Sequence, residues 1–306
     1  LFKREPALLN KTKGYLMIAT AGMLWGTVGF FVTKLLAAQV PLPAIIFWRM
    51  FFAFFLLLIF LFFTDRTKLK IDRKILIYVI AIGLISQCLF NICYFSTIKL
   101  TSIATAVTLL YSAPIFIAIM SRIFFHEFFT KNKVLALLVC VIGCFLTATG
   151  GTWENIQLNW KGILLGLASG VTFGSLAIIS KPIANKCHPY TIVFYSLGFG
   201  LLFYLPFSQP MFLFQSNQNP IIWFYTFSLS IISTVFAYSF YIKGLSMGIE
   251  ASKAGIISTI EVVVSVIISY FAFQEQLWGW KLIGILMVIG PVIVVQLERP
   301  SSPDVH

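Results

Sequence analysis

Acidic side chains are scarce in this chain: ten Asp and Glu stand against 22 Lys and Arg among 306 residues, and charged residues make up only 10%. A soluble domain is about one quarter charged, so a water-soluble globular protein is excluded. A disordered chain is excluded as well, since it stays solvated by carrying little apolar surface, whereas 59% of these residues are apolar. Histidine is nearly absent, with His126, His188 and His306 in different regions. No HExxH, GxSxG or GxxxxGK followed by Ser or Thr is present, so the usual metalloprotease, serine-hydrolase and ATP-hydrolysing signatures are missing. The expectation is a protein that is not an enzyme. The five cysteines are an odd number, and Cys88, Cys93, Cys140 and Cys144 fall in apolar runs with Cys187 outside them. Such thiols are ordinarily small packing residues, and no disulfide, metal or cofactor is assigned.

What is abundant is hydrophobic length. A run of about 20 apolar residues crosses a ~30 Å hydrocarbon layer as a helix. Ten such runs are predicted, at 14–36, 43–63, 74–96, 103–125, 133–149, 162–180, 190–208, 221–242, 252–273 and 279–297. The 98 residues left over are too few for a separate extramembrane domain, so the lipid bilayer is the first partner and function is expected within it. Short cytoplasmic connections accumulate Lys and Arg. Ten spans put 17 of these residues on the side of the two chain ends and four (Lys34, Lys99, Lys161, Lys281) on the other, with Arg49 inside span two. Both termini are therefore expected in the cytoplasm of a multi-pass cell-membrane protein. The same asymmetry accounts for the net charge of +12, and nucleic acid is not an expected partner.

Shifting the sequence by 148 positions places Lys13-Gly14 on Lys161-Gly162, Gly22 on Gly170, Gly26 on Gly174, Trp25 on Phe173, Glu127 on Glu275 and Lys133 on Lys281. The chain reads as a five-helix repeat at 1–149, a linker at 150–161, a second five-helix repeat at 162–297 and a tail at 298–306. Five is odd, so equivalent helices cross in opposite directions. Inverted repeats of this kind recur in secondary transporters, with the substrate site near the midplane between halves. The fold class is thus all-α integral membrane, ten helices as two inverted five-helix repeats. Gly22 and Gly26 in span one, and Gly166, Gly170 and Gly174 in span six, clear one helix face each for close packing. Two roles are open to that face, plain packing and gating.

Polar groups inside a bilayer are expensive and so informative. Of the ten acidic residues only Glu261 lies deep in a span, with Ser258, Ser265 and Ser269 on the same face of span nine. It can contact a cationic part of a substrate, carry a coupling proton, or tie helices together as a structural carboxyl. Arg49 is the one basic residue well inside a span. A central charge costs about 2.5 to 3.5 kcal/mol on insertion scales, and the expectation for Arg49 is an anchor that snorkels outward. Further polar stripes run through span three (Gln87, Asn91, Tyr94), span four (Thr101, Thr105, Thr108, Ser112) and span eight (Ser230, Thr234, Tyr238, Tyr241). Trp25 and Tyr111 add aromatic surface to the cavity these faces would line. Pro114 is expected to kink span four and Pro291 span ten.

These residues resemble the EamA family of the drug/metabolite transporter superfamily. The resemblance rests on Trp25-Gly26, Arg49, Tyr111-Ser112-Ala113-Pro114 and Glu261, and on Glu127 and Glu275 closing spans four and nine. Where the family usually has Gly before each of those glutamates, this chain has His126 and Gln274, and Val262 replaces a proline common after the ninth-helix glutamate. The resemblance implies alternating access around a cavity built from helices 3, 4, 8 and 9 with 1 and 6, and typical cargo of amino acids, related metabolites or amphipathic drugs. The leading expectation is secondary transport of a small polar or amphipathic metabolite, foremost amino-acid-like export. One alternative is uptake or exchange of a nucleoside-like or cofactor-like metabolite stacked on Trp25, Tyr111 or Tyr238; another is a non-transporting scaffold. Topology reporters fused at either chain end are expected to report the cytoplasm, and reporters near Lys99 and Lys161 the opposite side. Reporters placing the two ends on different faces would end the inverted-repeat reading.

Overall fold

The computed structural model describes residues 4–152, 159–212, 219–274 and 279–297. Glu275, one of the residues expected to be structural or gating, lies outside the described residues, as do Glu154, Glu298 and Asp304. Among the described residues there is no strand, and ten helices are long and apolar enough to cross a membrane. They are α1 (Asn10–Ala37), α2 (Leu42–Thr64), α3 (Arg73–Leu100), α4 (Thr105–Phe125), α5 (Lys131–Thr149), α6 (Trp160–Ser180), α7 (Pro189–Phe207), α8 (Pro220–Ser246), α9 (Ala251–Phe273) and α10 (Trp280–Leu297). Their limits track the apolar runs, and several helices start where the sequence supplies a cap. Asn159 accepts from the amides of Lys161 and Gly162, Thr130 from Lys133, and Asn219 from Ile221, satisfying N–H groups that a helix start leaves orphaned.

The helices are apolar on nearly all sides because lipid, not water, is the outer solvent. Phe63 and Leu286 are 80% and 70% exposed, which in water would be a liability and in acyl chains is not. The inner faces carry small and polar residues instead. With ten crossings Asn10 and Leu297 lie at one face, here the near face, and the odd-numbered connections at the far face. Helix α1 packs on α8 and α9, and α6 packs on α3 and α4; these are repeat-equivalent contacts with the halves exchanged. Two further pairs join like to like across the repeats: α2 with α7 through the stacked rings of Phe54 and Phe194, 4.8 Å apart, and α5 with α10, where Gly143 and Gly284 each face the other's carbonyl.

Two expectations change. Thr101 was placed in span four, but it ends α3, its hydroxyl donating to the Thr97 carbonyl at 2.7 Å. Pro114 does not kink a continuous helix. It sits in the first turn of a new one, Ala113–Phe125, where its missing N–H would have had no partner anyway.

The departures from the family's Gly-Glu pattern now have a physical meaning. His126 and Gln274, 148 positions apart, close α4 and α9 with φ of 52° and 55°. That left-handed conformation costs a non-glycine residue roughly 1 to 2 kcal/mol, partly offset by the greater unfolded-state freedom of glycine. His126→Gly is therefore expected to stabilise the protein by about 0.5 to 1 kcal/mol, seen as a higher unfolding midpoint in detergent; an unchanged or lower midpoint refutes the account.

Candidate functional site

Two broken helices meet at the centre. Helix α4 is interrupted at Tyr111-Ser112, between Ile103–Leu110 and Ala113–Phe125, and α9 at Thr259, between Ala251–Ser258 and Ile260–Phe273. Tyr111 and Thr259 are 148 positions apart, so the breaks are repeat-equivalent. Both leave a half-helix starting near mid-span, with the positive end of its dipole there. A small space of about 10 Å³, the size of one water, lies between them, lined among others by Tyr111, Pro114, Phe173, Ser258, Thr259 and Glu261. The glycines are what bring the halves so close. A Cβ on Gly22 or Gly26 would lie 2.7 Å from the carbonyl of Ser258 or Glu261, and one on Gly170 would lie 2.8 Å from Ser112 Oγ. Gly174 stands likewise against Ile117. These four glycines seat α1 on the break in α9 and α6 on the break in α4.

Helices α3 and α8 deviate too. Each contains a stretch of wide π-helical turns, Ile82–Leu89 and Ile231–Phe236, again at equivalent positions. Such segments are uncommon and frequent at functional sites. Each is joined to the other half by one hydroxyl pair: Thr27 with Ser233 at 2.7 Å and Ser175 with Ser86 at 2.8 Å. Thr27 and Ser175 are themselves 148 apart, and each also donates 2.6 Å to a carbonyl three residues earlier. Four non-α segments thus repeat across the pseudo-two-fold, with a hydroxyl staple on each π segment whose partners, Ser86 and Ser233, are offset by one residue from exact equivalence. Sequence reasoning missed the staples because a lone Ser or Thr in an apolar helix carries no pairing signal.

Around this centre stands an aromatic cage. Trp25 lies 5.3 Å from Tyr238, 5.1 Å from Tyr241 and 5.7 Å from Phe173, and Phe90 lies 5.4 Å from Phe173 and 5.8 Å from Tyr94. Tyr94, Tyr111, Tyr238 and Tyr241 are all within electrostatic reach of Glu261. Glu261 occupies the first turn of the α9 half-helix, and its carboxyl group makes no hydrogen bond or ion pair with the described residues. Of the sequence-expected cavity residues, Trp25, Tyr94, Tyr111, Tyr238 and Glu261 therefore come together here. Asn91 does not offer its amide nitrogen, which donates to the Gln87 carbonyl at 2.5 Å, and several stripe hydroxyls likewise bond their own helix, as Ser112 does to Leu109. Arg49 corrects an expectation: it does not snorkel outward, for its Nε and Nη2 are buried and its electrostatic neighbours are Tyr204 and Tyr238.

At the near face a second cluster closes the molecule. Glu127 is buried, 7% exposed. It accepts from Lys181 Nζ at 2.6 Å, from the Ala251 amide at 2.7 Å and from the Ser252 hydroxyl, with Lys133 Nζ at 3.6 Å. Lys133 in turn pairs with Glu250 at 2.6 Å. One carboxylate so fastens the end of α4 to the start of α9, whose N-terminal amides it caps, and to the end of α6. Glu127 and Lys133 were visible as a repeat match, whereas Lys181, Glu250 and Ser252 lie far away in sequence and gave no sign. Burial alone would raise the Glu127 pKa, but Lys181, Ser252 and Lys133 outweigh it and hold the group at about 2.

A carboxylate lowered from 4.5 to about 2 contributes stability that is complete above the ordinary range and is lost as pH falls through about 2. Glu127→Gln leaves Lys133 buried with one partner fewer, and a loss of roughly 3 kcal/mol is expected. Unfolding midpoints in detergent between pH 7 and pH 2 check both: the wild type loses stability through this window, and the variant starts lower and lacks that component.

Comparison with known proteins agrees with this architecture. An uncharacterized transporter of Archaeoglobus fulgidus is 28% identical over 286 residues, covering 93% of this chain and 97% of that one. An S-adenosylmethionine uptake transporter of Rickettsia felis is 26% identical over 276 residues, covering 90% of each chain. A solved crystal structure, 19% identical, superposes with a TM-score of 0.78 over 94% of this chain and 97% of the other, a likeness of fold. The EamA-like transporter family matches twice, at residues 12–149 and 160–297, once for each repeat. With nearly all of its length matched by that family, the chain belongs to the EamA-like transporter family.

Proposed function

We propose that this membrane transporter carries a small polar or amphipathic metabolite with a cationic group, foremost an amino-acid-like compound exported from the cytoplasm, by alternating access about the paired breaks in α4 and α9. Both chain ends face the cytoplasm in this reading, so the Glu127 cluster is the inner closure. The single observation that carries it is the Glu261 carboxylate, unpaired at a half-helix end within a cage of tyrosines and Trp25. A cation is drawn both to a carboxylate and to aromatic faces, and an unpaired intramembrane acid is ordinarily functional. Glu261 serves the substrate cation, the coupling proton, or each in turn. With no nucleotide-binding loop in the sequence, an ion or substrate gradient supplies the energy of uphill movement.

A second reading, uptake or exchange of a nucleoside-like or cofactor-like metabolite, draws support from the contiguous rings of Trp25, Tyr238 and Tyr241 and from the likeness to the Rickettsia felis S-adenosylmethionine uptake transporter.

Flux in proteoliposomes separates these. Glu261→Gln is expected to cut transport of a cationic amino-acid-like probe by roughly tenfold, the equivalent of about 1.4 kcal/mol, and to flatten its pH dependence. Unaltered flux and pH profile would remove Glu261 from the mechanism. Labelled S-adenosylmethionine moving faster than any labelled amino acid, with Trp25→Ala abolishing it, would favour the second reading; no flux of any probe at any gradient would leave only a scaffold.

A further inference from the structure

One buried polar group is not used by this reading. Gln87 is 0% exposed, and neither its amide nitrogen nor its amide oxygen has a hydrogen bond of acceptable geometry, although the amide lies beside Tyr238. Arg49 has Nε and Nη2 buried without a partner, and no carboxylate among the described residues pairs with it. Orphaned buried polar atoms are rare and expensive in native proteins, and an unpaired guanidinium in a bilayer is more so.

The surroundings hold these groups in place. Gln87 sits in the π-helical stretch of α3, and α7 backs it so tightly that a Cβ on Gly200 would lie 2.7 Å from Gln87 Cβ. Tyr204, 1% exposed, and Tyr238, 3% exposed, lie within electrostatic reach of Arg49. If these residues merely completed the scaffold, the repeat would be expected to duplicate them. It does not: at the positions 148 further on stand Leu197 and Val235, both buried and apolar.

We propose that Arg49 and Gln87, with the Tyr238 hydroxyl, form an anion subsite for a carboxylate of the transported molecule, so that the substrate is a zwitterion held by this subsite at one end and by Glu261 at the other. The planar guanidinium fork fits two carboxylate oxygens, and the Gln87 amide supplies a further donor. A single cation matches a monoanion rather than a doubly charged phosphate. Tyr238 is the electrostatic neighbour of both Arg49 and Glu261, which do not pair with each other. One small molecule bridging past Tyr238 satisfies both ions, and a bare amine or a bare acid satisfies one. The inference rests on the transport reading above and adds the second charge to its substrate.

The test uses wild-type protein, Arg49→Gln, Arg49→Lys and Gln87→Leu in proteoliposomes, with labelled phenylalanine, phenethylamine and phenylacetate as probes. These share the ring and differ in which charges they carry. Wild type is expected to favour phenylalanine over either single-charge probe by about tenfold or more, because a site built for a polar group rejects the analogue lacking it. Arg49→Gln and Gln87→Leu are expected to bring the phenylalanine to phenethylamine ratio close to one, with Arg49→Lys intermediate. A ratio is read rather than a rate, and elution as a single detergent-solubilised species checks that each variant is folded; should Arg49→Gln not fold, Gln87→Leu and Arg49→Lys still decide. Equal ratios in wild type and variants overturn the subsite. Wild-type flux of phenethylamine but not phenylalanine overturns it while sparing the cationic reading, and flux of none of the three overturns both.

Discussion

In a bilayer no water stands ready to bond a broken helix, so every interruption of the backbone ladder must be satisfied by protein. That constraint organises this molecule. The breaks in α4 and α9 and the π-helical stretches in α3 and α8 lie at its centre, where hydroxyls, facing helices and the cavity can serve the freed groups. Gly22, Gly26, Gly170 and Gly174 make the arrangement feasible, because only a helix face without side chains lets α1 and α6 come within reach of the interrupted backbone.

The scaffold is symmetric and its chemistry is not. Breaks, π segments and left-handed caps recur at a spacing of about 148 residues, and a hydroxyl pair joins each π segment to the other half. The alternating access proposed above uses such pairing, each half taking the conformation of the other in turn. Glu261, Arg49 and Gln87 have no counterparts, their equivalents being Ala113, Leu197 and Val235. A ligand has its own asymmetry and reads side chains one at a time, so a two-fold frame can present a one-sided site without strain on the frame.

Much of this was legible in the sequence. The limits of ten spans, the doubled half, the depth of Glu261 and the central packing of the glycines followed from hydropathy and spacing. Other features were not. Arg49 read as a snorkelling anchor because its length permits that, and only its neighbours show it turned inward. Thr101 read as part of the fourth span because the polar stripe runs on across a connection that begins just beyond it. The cluster around Glu127 draws partners from 54 and 125 residues away, a separation at which charge pattern carries no information.

What the sequence by itself determined is the set of crossings and their pairing into two opposed halves, since insertion in lipid is decided within each run of about 20 residues and a repeat is a property of the string. What only the tertiary structure decided is which polar groups meet and which are left without partners. A helix specifies the face a side chain leaves from, but hydrogen bonds and ion pairs act over about 3 Å and depend on which helices finally lie against one another.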